Sequence, residues 1–164
     1  MKTLVDVTNI VGIQILNEPQ NADSLPTFYT TAISAMRETS SAAQTFPLYI
    51  HNGFDLTRFS EYVNNRSDFL VQDHHSYFVF TPSDATEPAS QHTTDVNTVV
   101  ASQLTATDPD RCRIARHNLV VDEWSCALTP DSLAPEENKD QSNRDFCSSQ
   151  MEVYGEVTPG WSFW

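Results

Sequence analysis

Asn9-Ile10-Val11-Gly12-Ile13-Gln14-Ile15-Leu16-Asn17-Glu18-Pro19 is the stretch on which the fold turns. Its first eight residues are mostly apolar and rich in β-branched side chains, which predicts a strand buried on both faces. The run then stops on an amide, a carboxylate and a proline. The same layout recurs downstream. Residues 46–50 (FPLYI) form a second strand candidate, followed by His51-Asn52. Residues 69–73 (FLVQD) form a third, followed by His74-His75, with 76–80 continuing or following it. Residues 118–124 (NLVVDEW) are a fourth and carry Glu123 near their end, and 160–164 (GWSFW) are a fifth.

Helical patterns lie between these runs. In 24–39, Phe28, Ala32, Ala35 and Met36 recur at helical spacing, and Pro26 suits a first turn. Residues 56–63 predict a short helix. Asp95 is a candidate cap for a helix carrying Val96, Val99, Val100 and Leu104, and 140–154 predict a further helix. Residues 81–94 and 129–140 are rich in Pro and polar side chains and read as loops. Strand and helix in steady alternation predict a parallel α/β architecture. Periodicity alone fits an open doubly wound sheet or part of an eight-stranded barrel. The polar residues that end several different strands favour the barrel, because a barrel gathers its active groups from many strand ends at one face. A nucleotide-binding sheet is disfavoured: no glycine-rich loop follows the first strand, and the chain holds only 4 Gly.

The 164 residues suit one domain with a real core. A net charge of −13 argues against a nucleic-acid partner and against attraction to an anionic membrane. A neutral polysaccharide is compatible with it. No run approaches the roughly 20 apolar residues that span a bilayer. Residues 1–6 contain one Lys and no apolar run, so no export signal is expected there. Cys112, Cys126 and Cys147 leave open one disulfide or buried reduced thiols. The sequon Asn65-Arg66-Ser67 is compatible with secretion.

Two glutamates at the ends of two apolar strands, Glu18 and Glu123, supply the pair of carboxylates that glycoside hydrolysis needs. Asn17 stands beside the first and is placed to hydrogen-bond a sugar hydroxyl. Successive strand side chains point to opposite faces, so His74 and His75 are not expected to share a metal ion. No Cys or third His lies at ligand spacing, and no metal is expected. His75 and Tyr77 have one parity and are placed to hydrogen-bond the nucleophilic carboxylate; a purely structural histidine is the alternative. By the same parity, Asp122 turns away from Glu123. Trp161 and Phe163 share one face of the last strand, and Trp164 takes the other, where its indole suits the apolar face of a sugar.

Residues 10–19, the run VQDHHSYFVF at 71–80, NLVVDEWSCALT at 118–129 and GWSFW at 160–164 together resemble glycoside hydrolase family 5. The branch is that of fungal glucan 1,3-β-glucosidases, or exo-1,3-β-glucanases. The resemblance implies a TIM (β/α)8 barrel of which residues 1–164 are the C-terminal portion, strands four to eight, with the first three strands absent. It implies retention of configuration, with Glu18 as acid/base and Glu123 as nucleophile. Asn17, His75 and Tyr77 then line the subsite of the scissile sugar, and Trp164 stacks on it. The substrate implied is β-1,3-glucan of the cell wall, with glucose as product and no cofactor. The location implied is extracellular or at the cell surface; membrane-anchored relatives carry their anchor upstream of the catalytic domain. The family usually has Gly where this chain has Asp122. Two other readings stand beside this one: an inactive carbohydrate-binding remnant, and a hydrolase of β-1,4-glucan or mannan.

Overall fold

The computed structural model describes residues 7–107 and 118–164. Five strands, β1 (Ile13–Gln14), β2 (Leu48–His51), β3 (Leu70–Ser76), β4 (Leu119–Trp124) and β5 (Trp161–Phe163), form one sheet. All neighbours are parallel, and the spatial order is the chain order β1-β2-β3-β4-β5. A doubly wound sheet reverses its strand order at a switch point. This one never reverses, so its twist accumulates in one sense and the sheet curls into half a barrel. The partial TIM barrel expected from the sequence is the observed architecture.

Helices α1 (Leu25–Arg37), α2 (Ser60–Asn64), α3 (Ala89–Asp95), α4 (Ala101–Thr107), α5 (Pro130–Leu133) and α6 (Lys139–Val157) cover the convex side. Two apolar clusters lie beneath them. One joins Leu25, Tyr29 and Ile33 of α1 to Leu48 and Ile50 of β2 and Leu70 of β3. The other joins Val96 and Leu104 to Leu119, Val121 and Trp124 of β4 and to Phe146 and Tyr154 of α6.

Helix α1 forms where expected, with Pro26 in its first turn, but it buries a different stripe. Leu25, Tyr29, Ile33 and Arg37 face inward, whereas Phe28 is 44% exposed. Tertiary partners select that face. The Tyr29 hydroxyl donates to the His51 carbonyl at 2.8 Å. The Arg37 guanidinium donates to the carbonyls of Ala43, Phe46 and Phe69 and pairs with Asp68 at 3.1 Å. One cation thereby ties down the loops that feed β2 and β3.

Other boundaries also move. The apolar run at 9–16 contributes only two strand residues, and Val11 is 81% exposed. Among the described residues strand β1 has one sheet neighbour, β2, so half of its backbone lacks a ladder partner there. Asp95 does not cap a helix. It lies inside a helical run from Ala89 to Thr107, which takes one wide π turn at Val96–Val100. The first predicted loop therefore ends at Pro88, and the second contains α5, whose cap Thr129 accepts the Ser132 N–H at 3.1 Å. Cys126 and Cys147 form a disulfide that ties the chain just after β4 to α6. Cys112 and residues 1–6 lie outside the described residues. No helix among the described residues is long and apolar enough to cross a membrane.

Candidate active site

The carboxyl ends of the strands open on a cleft of about 770 Å³, within the usual range for small-molecule sites. Glu18, His75, Tyr77, Glu123 and Trp164 all border it. Five of the six residues singled out from the sequence are thus brought to one wall. Asn17 is exposed on the loop beside Glu18 and is not part of that wall.

Glu18 stands four residues beyond β1 in a left-handed backbone conformation, φ 41°. Phe54, beyond β2, has φ 63° and also borders the cleft. Left-handed backbone at residues with a side chain is strained, and such strain collects at functional sites. Glu123 is the fifth of the six residues of β4. In the pairing of β3 with β4, His74 meets Val121 but His75 meets Glu123, so Asp122 is an extra residue on β4. This bulge interrupts the alternation on which the parity reading of Asp122 rests. Asp122 lines the hollow inside the half-barrel with Gln14 and Tyr49, while Glu123 borders the cleft. Alternation counts residues and does not survive an inserted one.

The two glutamates meet at one histidine. His75 Nδ1 lies 2.8 Å from Glu18 Oε1 and 3.5 Å from Glu123 Oε2. Those oxygens can be no farther apart than the two distances laid end to end. The Tyr77 hydroxyl donates to Glu123 Oε1 at 2.5 Å. The expectation that His75 and Tyr77 together serve the second carboxylate is thus split: Tyr77 bonds Glu123, and the shorter bond of His75 goes to Glu18. His75 Nε2 donates to Asp73 Oδ2 at 3.1 Å, and Gln14 donates to the same oxygen at 2.5 Å. Asp73 and Gln14 were not singled out from the sequence. The available signal was that Asp73 and His75 share a parity on β3.

Burial works against a charged His75, but the hydrogen bonds it donates to Asp73 and Glu18, with the charges of Asp73 and Glu123, outweigh it. They hold its pKa up at about 9. The neighbouring His51 goes the other way. Burial first, and then the charge of His75 beside it, push it down to about 3. The two rings meet edge to face with centroids 4.3 Å apart, and only one of them is a cation. Tyr77 is raised by burial and by its bond to Glu123, so it remains a donor.

Glu18, His51 and His75 offer atoms within 4.8 Å of one another, as a metal site would. The donor chemistry does not fit a metal. The Gly53 N–H donates to His51 Nδ1 at 3.0 Å, so the hydrogen of that neutral ring sits on Nε2. Both nitrogens of His75 face carboxylates and carry hydrogens. Neither ring presents a free lone pair to a cation. His74 turns to Asn52 at 3.0 Å and not toward its neighbour's partners.

Exposed aromatic rings also border the cleft. Phe54 is 54% exposed, Phe80 76% and Trp164 79%. Exposed rings of that size around carboxylates suit the apolar face of a sugar. Trp161 and Phe163 pack edge-on against Trp124, at 5.3 and 5.0 Å, and leave Trp164 free for the cleft, as strand parity predicted.

The chain is 31% identical over 160 residues to "Glucan 1,3-beta-glucosidase 3" of Schizosaccharomyces pombe, covering 95% of this chain and 31% of the relative. By sequence it is related to glucan 1,3-beta-glucosidases. It is 25% identical over 211 aligned positions to "Glucan 1,3-beta-glucosidase 2" of Candida albicans, covering 94% of this chain and 42% of the relative. A "Glucan 1,3-beta-glucosidase" of Kluyveromyces lactis is 30% identical over 127 residues, or 73% of this chain and 27% of the relative. The chain therefore spans between about a quarter and two-fifths of the length of these relatives. No family model matches it.

Proposed function

We propose that this chain carries the catalytic carboxylates of a retaining β-1,3-glucan hydrolase that releases glucose, of the glycoside hydrolase family 5 type, and that it forms the C-terminal part of such a catalytic domain. The observation that carries the reading is the meeting of Glu18 and Glu123 at His75 Nδ1, at 2.8 and 3.5 Å. Those two distances hold these carboxylate oxygens closer together than the roughly 6.5–9.5 Å that inverting enzymes use to admit a water, and so are compatible with the roughly 5–5.5 Å of retaining ones. Glu123, fixed by Tyr77, attacks the anomeric carbon. Glu18, the more exposed of the two, protonates the leaving oxygen. A covalent glucosyl-enzyme results, and Glu18 then takes a proton from the water that releases glucose with retained configuration. Trp164, Phe54 and Phe80 offer stacking faces, and Asn17 offers an amide for a sugar hydroxyl. No metal or organic cofactor has a part in this scheme.

Secretion to the cell surface or cell wall belongs to the same proposal. It is supported by the Cys126–Cys147 disulfide, a bond that persists in oxidising compartments, and by the exposed side chain of Asn65 in its sequon.

Azide rescue on an aryl β-glucoside tests the roles in the protein. Glu123→Ala with azide should yield the α-glucosyl azide, because azide takes the nucleophile's place on one face. Glu18→Ala with azide should yield the β-glucosyl azide, by attack on the glucosyl-enzyme. The opposite assignment of products would reverse the roles. One observation favours a second reading, a carbohydrate-binding remnant: among the described residues β1 and β5 each have one sheet neighbour, so the sheet is open on that side of the cleft. Binding of laminarin without hydrolysis would select it, and preferential hydrolysis of cellulose or mannan oligomers would move the substrate to another linkage.

A further inference from the structure

The half-barrel holds a carboxylate that the proposed chemistry does not use. Asp73 is 0% exposed, in the interior beneath the two glutamates. An isolated charge there is costly, and a buried carboxylate persists only where donors surround it. Three donors do so, each from a different strand. Gln14 of β1 and the His75 ring of β3 share Oδ2, and the Asp122 N–H of β4 reaches Oδ1 at 3.3 Å. Asp73 is therefore the junction of three strands, and the ring it holds is the one on which Glu18 and Glu123 converge.

We propose that Asp73 is a positioning residue: its buried carboxylate keeps the His75 ring doubly protonated and turned on Glu18, so that the glutamate pair works beside a fixed positive charge. The inference rests on the glucan-hydrolase reading for its catalytic consequence but not for its chemistry. The groups that face His75 are Asp73 on its own strand, Glu18 beyond β1, Glu123 and Asp122 on β4, His51 on β2 and the adjacent His74. His51 and His74 are neutral and offer His75 no counter-charge. Burial disfavours a charged His75, and the carboxylates reverse that balance.

An asparagine at position 73 would keep the shape and remove the charge. Its side-chain oxygen would accept the Nε2 hydrogen, and a neutral ring would then present a lone pair at Nδ1. That lone pair would face Glu18 and compete for the proton that Glu18 must deliver to the leaving oxygen. A histidine held in the wrong tautomer by Asp→Asn is known to disable proton transfer with the geometry otherwise intact.

The test is nitrogen NMR of the His75 ring, together with the pH profile of aryl glucoside hydrolysis, in the protein and in Asp73→Asn. The ring in the unaltered protein should carry both protons at pH 7 and lose one near pH 9. In Asp73→Asn it should carry one proton at pH 7. Turnover should fall by roughly 10- to 100-fold with little change in KM, and both limbs of the profile should move up by about one pH unit or more. A merely structural role would lower turnover without moving the limbs or the ring protonation. Should the variant fail to fold, titration of the unaltered protein decides, and loss of the proton near pH 6.5 would overturn the proposal. Should the protein hydrolyse no β-glucoside, the functional reading fails while the titration still judges the pairing of Asp73 with His75.

Discussion

Glu18 and Glu123 border one cleft, yet the chain supports them differently. Glu18 follows a two-residue edge strand, adopts a left-handed backbone, and has a side chain 37% exposed. Glu123 sits in a six-residue strand between two neighbours, with a side chain 22% exposed and a 2.5 Å bond from Tyr77. In the proposed mechanism the glutamate that must form a bond to carbon has the rigid support. The one that must pass a proton in both directions has the freer one. Proton transfer tolerates small displacements of the donor, whereas a misplacement of about 1 Å at the reacting atoms costs roughly 100-fold in rate.

The largest effect that could break this comparison is the loss of either glutamate. Glu123→Ala should reduce hydrolysis by about 10⁴-fold or more on any β-glucoside. Glu18→Ala should cost about 10²- to 10⁴-fold on laminarin and much less on an aryl glucoside whose leaving group needs no proton. Equal losses on both substrates for both variants would erase the distinction.

Next in size is the anchoring of the Glu123 side. The Cys126–Cys147 disulfide closes a loop with a sequence separation of 21. Replacing Cys147 with Ser should lower unfolding stability by about 3 kcal/mol, read from denaturant midpoints with and without reductant. Reductant should leave the variant unchanged. If it leaves the unaltered protein unchanged as well, the bond contributes nothing to β4.

Tyr77→Phe removes the hydroxyl donor and little else. A hydrogen bond to a charged group contributes about 1.5–3 kcal/mol, so turnover should fall roughly 10- to 100-fold with an unchanged fold by circular dichroism. A loss below about twofold would show that the sheet alone holds Glu123.

The most gradual effect, spread over several pH units, is the pH dependence of stability, from histidines that serve the two sides. His75, raised from 6.5 to about 9, contributes stability that is full below pH about 6.5 and is lost as pH rises toward 9. His51 and His74, lowered from 6.5 to about 3 and about 4, contribute stability that is full above pH about 6.5 and is lost as pH falls. Thermal midpoints should peak near pH 6.5. A steady rise from pH 5 to 9 would mean that the cation is not His75.

The sequence by itself determined what depends on neighbours along the chain. The alternation of apolar runs and helical stripes pointed to a parallel α/β sheet, because periodicities of two and 3.6 residues are local properties of strand and helix, and the polar residues that end several strands favoured a barrel over an open sheet. The two glutamates, placed after apolar runs, were legible as a pair for the same reason: a parallel sheet brings all its strand ends to one side. Trp164 was legible from parity on a strand with no inserted residue. The tertiary structure decided whatever depends on a partner across the sheet. It cut β1 to Ile13–Gln14, because only those two residues pair with β2. It turned α1 to bury Tyr29 and Arg37, because their acceptors lie on other elements. It put the extra residue Asp122 into β4, which no parity count foresees, and so set the cleft-facing position of Glu123. It also chose Cys147 for Cys126 and assigned His75 to Asp73 and Glu18. A hydrogen bond or a disulfide needs two groups within a few ångströms, and distance in space is fixed only when the strands have been laid side by side.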